Sequence, residues 1–192
     1  GSGKNSCVLH YVKNDQVCRE GELVLLDVAA EWGGWNADMT RTIPISGRFS
    51  KRRRQVYDAV LRVFCGANEL LRPGNDPTEY QKQVLLLMER ELVNLELFSA
   101  KEAAAQGPDK ALVKKYFMHG TSHHLGLDVH DVSPPNATFA EGMLFTIEPG
   151  IYIREEGIGI RLENDFLIGK DSNSDLMAGI PIEAEEIESM MK

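Results

Sequence analysis

An apolar run from Leu23 to Ala30, broken only by Asp27, and a stretch of alternating apolar and polar residues from Trp35 to Thr40, leading on to Pro44, lie on either side of Gly33-Gly34. That pattern predicts two strands joined by a two-residue turn. From Ser50 the period lengthens: Val56, Val60, Val63, Phe64, Ala67 and Leu71 fall on one helical face. Ser50 is placed to cap this helix, and Arg72-Pro73-Gly74 to stop it. Asp76-Pro77, a capping residue followed by proline, predicts a second helix to about Leu95. A shorter helix is expected over 109–117. The pattern then returns to strands at 143–148, 151–154 and 158–168, and Glu183 to Met191 reads as a closing helix. Near the start, Cys7 to Tyr11 (CVLHY) reads as a short strand. No linker, tandem repeat or low-complexity tract interrupts the order.

The hairpin carries an oddity. Each strand holds an aspartate, a poor strand former. With Gly33-Gly34 as the loop, opposed residues have numbers summing to 67, so Asp27 faces Thr40 and Asp38 faces Ala29. All four then point to one side, and the aspartates are diagonal neighbours about 7–8 Å apart at the backbone. The other side, Leu26, Val28, Ala30, Trp35, Ala37 and Met39, is apolar and is expected to pack on helices. Taken alone, the two acids also fit unrelated surface residues on a solvated face.

The second half of the chain repeats the arrangement. Glu20-Gly21 precedes an apolar run that reaches Asp27, and Glu141-Gly142 precedes MLFTI, which reaches Glu148; each acid lies seven residues after its glutamate. In each half a return strand then brings a second acid near an arginine: Asp38 with Arg41, and Glu163 with Arg161. Two matching strand pairs suggest halves related by a pseudo-twofold, with their carboxylates facing a common centre. Between them MHGTSHHLGLDVHDV holds His119, His123, His124 and His130, four of the five histidines. Asp27, Asp38, Glu148 and Glu163 with one histidine form an oxygen-rich set that two divalent cations would neutralise. Such ligation favours hard or borderline ions such as Mn²⁺ over thiolate-bound zinc. Paired ions of this kind support hydrolysis.

Composition narrows the partners. The 192 residues suffice for one sizeable core, and 43% hydrophobic with 26% charged residues describes a soluble globular domain. The net charge of −8, without a basic stripe, argues against nucleic acid. The Lys51–Arg54 run reads as a solvated helix face. No apolar run is long enough to span a bilayer, so no membrane partner is expected. Cys7, Cys18 and Cys65 form neither a CxxC pair nor a disulfide framework, which suits a reducing, cytoplasmic compartment.

The segments LHY, LLDVAAEWGGWNADMTRTIP, HGTSHHLGLDVHD, TIEPGIYI and GIGIRLEND resemble the pita-bread metallopeptidases, aminopeptidase P (Xaa-Pro aminopeptidase) most and prolidase next. The resemblance runs over nearly the whole chain. It implies an α+β fold: a curved antiparallel sheet flanked by helices about a pseudo-twofold. It implies two divalent metal ions, usually Mn²⁺, with Asp27 on one ion, His123 and Glu148 on the other, and Asp38 and Glu163 bridging. A metal-bridging hydroxide would attack the peptide carbonyl, with Glu148 shuttling its proton. His10 and His130 would contact substrate, His119 would shape the pocket, and Arg161 would hold Asp38 by an ion pair. His124 matches no ligand position. The expected substrate is a peptide with proline in second position. Residues 1–192 then read as a C-terminal catalytic domain lacking its opening elements, from a full-length protein expected to be a homo-oligomer. A prolidase cleaving only dipeptides is the alternative. A metal-free binding module is a further one, against which all five ligand positions argue.

Overall fold

The computed structural model describes residues 1–134 and 137–192. Strands β1 (Leu23–Trp32) and β2 (Trp35–Pro44) pair antiparallel in the expected register, Asp27 opposite Thr40 and Ala29 opposite Asp38. Gly33 and Gly34 both have positive φ, 59° and 88°, as a type I′ turn requires. A slip of one residue would put Asp27 and Asp38 on opposite faces of the hairpin.

Helix α1 spans Lys51–Leu70, with the Ser50 side chain accepting from the Arg53 amide. Helix α2 spans Pro77–Asn94, where Asp76 Oδ1 accepts from the Thr78 and Glu79 amides at 2.8 and 3.0 Å. Short helices α3 (Ala100–Ala105) and α4 (Ala111–Tyr116) follow. The chain then forms β3 (Leu144–Ile147), β4 (Gly150–Ile153), β5 (Ile158–Arg161), β6 (Asn164–Leu167), the two-residue β7 (Ser174–Asp175) and α5 (Ala184–Met190). β3 pairs with β6, β6 with β7, and β4 with β5, all antiparallel. The apolar faces of α1 and α2 meet β3 to β6 in one core that includes Val60, Leu92, Phe117, Ile147, Ile151 and Phe166. No helix among the described residues is long and apolar enough to cross a membrane.

The two halves join at β2. Glu163 donates its amide to the Thr40 carbonyl at 3.1 Å, and the Asp38 amide donates to Asp165 Oδ2 at 3.1 Å. The bridge pairs Thr40 with Glu163, so its continuation sets Asp38 opposite Asp165. If Asp38 and Glu163 are equivalent, each therefore meets the neighbour of the other. That reciprocity is what a twofold between the halves demands.

Several expectations need correction. CVLHY is not a strand: Gly3–Cys7 forms a 3₁₀ turn. Ser6 Oγ donates to the Gly3 carbonyl at 2.6 Å and accepts from the Gly159 amide at 2.9 Å, so a local side-chain bond outcompetes strand pairing. The outer face of the hairpin is not covered by helices: Leu26, Val28 and Trp35 are 42, 48 and 61% exposed. The helices lie over β3 to β6, and only the base of the hairpin reaches the core. The stretch 158–168 is two strands that change partner at Leu162-Glu163. Helix α3 was not expected, although its capping box, Ser99 with Glu102, is a sequence signal. Finally, Lys51–Arg54 is not merely solvated. Arg52 pairs with Glu156 at 2.7 Å, and Arg54 pairs with Asp58 and Glu185, tying α1 to the β4–β5 turn and to α5.

Gly159 carries the 3₁₀ segment against β5, since a Cβ there would lie 2.2 Å from the Ser6 carbonyl oxygen. Gly159→Ala is expected to cost about 1–3 kcal/mol in chemical denaturation. Gly179→Ala, which meets nothing within 4 Å, is expected to stay within about 0.5 kcal/mol of the parent.

Candidate functional site

Strand alternation and two loops carry the chemistry to one place. Asp27 and Asp38 share a face of the hairpin with Thr40. Glu148 follows β3, and Glu163 sits where the chain passes from β5 to β6. The histidine-bearing loop is pinned to β3. Thr146 donates its amide to the His123 carbonyl at 3.0 Å, the His123 amide donates to Thr146 Oγ1 at 3.2 Å, and Glu148 donates to the Thr121 carbonyl at 2.7 Å. As a result Asp27, Asp38, His123, Glu148 and Glu163 line one cavity of about 280 Å³ together with His10, His119, His130 and Arg161. His124 lies elsewhere, its ring against Phe145.

Within the cavity the acids are unequal. Ligand atoms of Asp38, His123 and Glu163 all lie within 4.8 Å of one another. His123 Nε2 is 3.6 Å from Asp38 Oδ2 and 3.9 Å from Glu148 Oε1. The other ring nitrogen, Nδ1, is 3.1 Å from the His124 carbonyl. That carbonyl can only accept, so Nδ1 carries a proton and Nε2 is turned to the acids. Asp27 stands apart at the rim, partly exposed and bonded to Arg161.

The electrostatics show an excess of negative charge. Burial, followed by the charges of Glu148 and Asp38, pushes the Glu163 carboxyl well above the carboxylate range, although Thr40 and Arg161 pull it back. Burial also lifts Glu148 to about 7, against the pull of His123 and Arg161. For His123, burial lowers the pKa, but the bonds to Asp38 and the His124 carbonyl and the charges of Glu148 and Glu163 outweigh it and raise it to about 9. A carboxylate-rich cavity in which Asp38 and Glu163 are buried, with one imidazole facing inward, fits hard or borderline divalent cations.

Arg161 departs from expectation. It does not hold Asp38. Its Nη2 bonds Asp27 Oδ2, its Nε donates to Thr40 Oγ1 at 2.9 Å, and its Nη1 donates to Tyr152 Oη and the Leu9 carbonyl at 3.2 and 3.3 Å. The register explains this. Arg161 lies beside Thr42, exchanging bonds with its hydroxyl at 3.1 and 3.2 Å. From there the guanidinium reaches Thr40 and its cross-strand partner Asp27, while Asp38 lies further along β2, opposite Asp165.

The remaining histidines frame the cavity. His119 Nε2 is 2.8 Å from Tyr152 Oη and its Nδ1 is 3.7 Å from Glu148 Oε2. Burial lowers its pKa to about 4, so the ring is neutral at ordinary pH. The His130 ring stacks on His123 with centroids 4.0 Å apart. Two supporting residues escape the sequence reading, Tyr152 and Asp165, and Thr40 was placed on the site's face but given no role. Asp165 was within reach of parity, because it has the phase of Glu163.

Residues 1–170 match the family model described as metallopeptidase family M24. Among curated proteins, the chain is 39% identical over 205 residues to an Xaa-Pro aminopeptidase of Escherichia coli, an alignment covering 100% of this chain and 46% of that protein. It is 37% identical over 199 residues to Xaa-Pro aminopeptidase 3 of Homo sapiens, covering 98% of this chain and 39% of the relative. The chain thus spans less than half the length of the curated relatives it matches. Among solved structures, the low-pH form of E. coli aminopeptidase P superposes with a TM-score of 0.91 at 39% identity, over 100% of this chain and 46% of that one. A zinc-substituted form of E. coli aminopeptidase P in complex with product gives 0.88 at 38% identity, with the same coverage. Likeness at this level establishes the pita-bread α+β fold.

Arg161 is the test of the corrected pairing. Its side chain is 4% exposed and that of Asp27 is 36% exposed. Arg161→Ala would strand the Asp27 and Glu163 carboxylates, and an expected loss of about 2–4 kcal/mol, below the fully buried case, should appear in denaturation of the metal-free protein. Adding Asp27→Asn to that variant should recover part of the loss. Recovery by Asp38→Asn alone would restore the original pairing.

Proposed function

The chain belongs to metallopeptidase family M24, and on that premise we propose that it carries the catalytic site of an Xaa-Pro aminopeptidase. The reaction is removal of the N-terminal residue from peptides with proline in second position. The observation that carries the reading is the cavity where Asp38, His123 and Glu163 converge within 4.8 Å, in a chain whose matched relatives include Xaa-Pro aminopeptidases.

In this reading Asp27, Asp38, His123, Glu148 and Glu163 hold two divalent ions, Mn²⁺ being favoured by four carboxylates against one imidazole. When bound, the ions supply activated water at neutral pH and polarise the scissile carbonyl. The chain's own groups do the rest. Glu148, half-buried and facing both His119 and His123, takes and returns the proton, a role that contributes about 10²–10⁴-fold. His119 stays neutral and is held by Tyr152 Oη, so it presents a fixed edge to the peptide. His10 and His130 contact the substrate from the other walls of the cavity. Arg161 steadies Asp27 and, through Thr40, Glu163, whose Oε2 accepts from Thr40 Oγ1 at 2.7 Å. Supports of this kind typically matter by about 10–100-fold in metal affinity or activity.

Residues 1–192 form one catalytic domain in this proposal, acting in the cytoplasm. Three free cysteines among the described residues agree with a reducing compartment. Asp38→Ala in the full-length protein is expected to lower bound manganese below two ions per site and to cut Xaa-Pro cleavage by at least about 10²-fold. Elemental analysis and a peptide-release assay on the same preparation check both. A metal-replete Asp38→Ala protein that cleaves as fast as its parent would rule the site out.

A further inference from the structure

The two halves of the site meet along a seam that is short of backbone pairing. Thr42 lies beside Arg161, Thr40 beside Glu163 and Asp38 beside Asp165. Among the described residues, one main-chain bond crosses it, from the Glu163 amide to the Thr40 carbonyl. At either end a side chain supplies the next rung. The Thr42 hydroxyl donates to the Arg161 carbonyl at 3.1 Å and accepts from its amide at 3.2 Å. At the other end, Asp165 Oδ2 accepts from the Asp38 amide at 3.1 Å. The backbone of a proposed bridging ligand is thus held by a carboxylate that the metal reading leaves without a task.

Asp165 is also central to the sheet. On the other edge of β6 it stands opposite Thr146 of β3, and the Thr146 hydroxyl accepts from the His123 amide at 3.2 Å. Opposed residues share a face, so Asp38, Asp165 and Thr146 form one row that ends on His123. A proposed ligand stands at each end of that row. The middle position is a costly one for a carboxylate. Asp165 is 3% exposed, and its Oδ1 has no hydrogen-bond partner among the described residues. A buried acceptor left unpaired lowers stability, the more so when it is charged and close to a like charge. Closing the seam does not require that charge, because the carbonyl oxygen of an asparagine could accept from the same amide. Negative charge at this place helps only when positive charge is brought near it.

We propose that Asp165 is a positioning residue of the metal centre. Its Oδ2 fixes the backbone of Asp38, and its charge beside Asp38 strengthens the hold on divalent cations. It acts without touching them, since the ligand atoms that converge belong to Asp38, His123 and Glu163. This assignment rests on the metal-centre reading and deepens it: at Asp165 the chain gives up stability of the metal-free fold for cation affinity.

The test compares Asp165→Asn and Asp165→Ala with the parent, all as full-length proteins, by calorimetric titration with Mn²⁺ and by chemical denaturation without metal. Asp165→Asn keeps an acceptor for the Asp38 amide and removes the charge. It is expected to weaken Mn²⁺ binding by about tenfold, while its metal-free denaturation midpoint stays at or above that of the parent. Asp165→Ala removes the acceptor as well, and both affinity and midpoint are expected to fall. An aspartate with a structural role alone would make affinity follow the midpoint in both variants. An Asp165→Asn protein that binds Mn²⁺ as tightly as the parent, or whose midpoint falls together with its affinity, would overturn this assignment and leave the metal centre standing. A parent that binds no Mn²⁺ would overturn both.

Discussion

The structure depends on crowding like charge where water is scarce. Asp38, Glu148 and Glu163 face one cavity with Asp27 at its rim, while Arg161 and His123 supply the nearby positive charge. Carboxylates so placed repel one another, and burial strengthens the repulsion. Burial above all displaces Glu163 and Glu148 upward from the carboxylate range, and the neighbouring carboxylates add to it. An arrangement that costs stability as it stands is what a protein retains for a ligand of opposite charge. Divalent cations repay the repulsion and convert it into affinity.

Holding those groups in register requires a stiff frame. The hairpin provides one half, through a turn that leaves a single register, and β3 to β6 provide the other. The halves meet where Thr40 pairs with Glu163, and Thr40 also receives the Arg161 guanidinium. One threonine thus sits at the joint of the frame and at the support of two acids. Tyr152 does similar work, linking Arg161 to His119 from the buried face of β4. Helices α1 and α2 contribute no group expected to hold metal. They cover the sheet that places those groups.

How far this could be read from the chain alone depended on the range of the interaction concerned. The hairpin register was legible because two glycines fix a two-residue turn, and everything about Asp27 and Asp38 sharing a face follows from that. The caps at Ser50 and Asp76 are local and were legible too. The partner of Arg161 was not: it depends on how β2 lies against the end of β5 and the β5–β6 junction, a pairing between residues more than a hundred positions apart. Periodicity also said that Leu26, Val28 and Trp35 share a face without saying what covers it. CVLHY failed for the opposite reason, because strand propensity lost to the bonds of Ser6 with Gly3 and Gly159. The ligand set itself came from spacing and family likeness together; spacing alone left open two ordinary surface acids.

The most direct measurement is anomalous diffraction at the manganese edge from crystals of the full-length protein grown with Mn²⁺. The account predicts two peaks in the cavity, both touching Asp38 and Glu163, one adjoining Asp27 and the other adjoining His123 and Glu148. No peak in the cavity, or a single ion that leaves Asp27 on Arg161 alone, would contradict it.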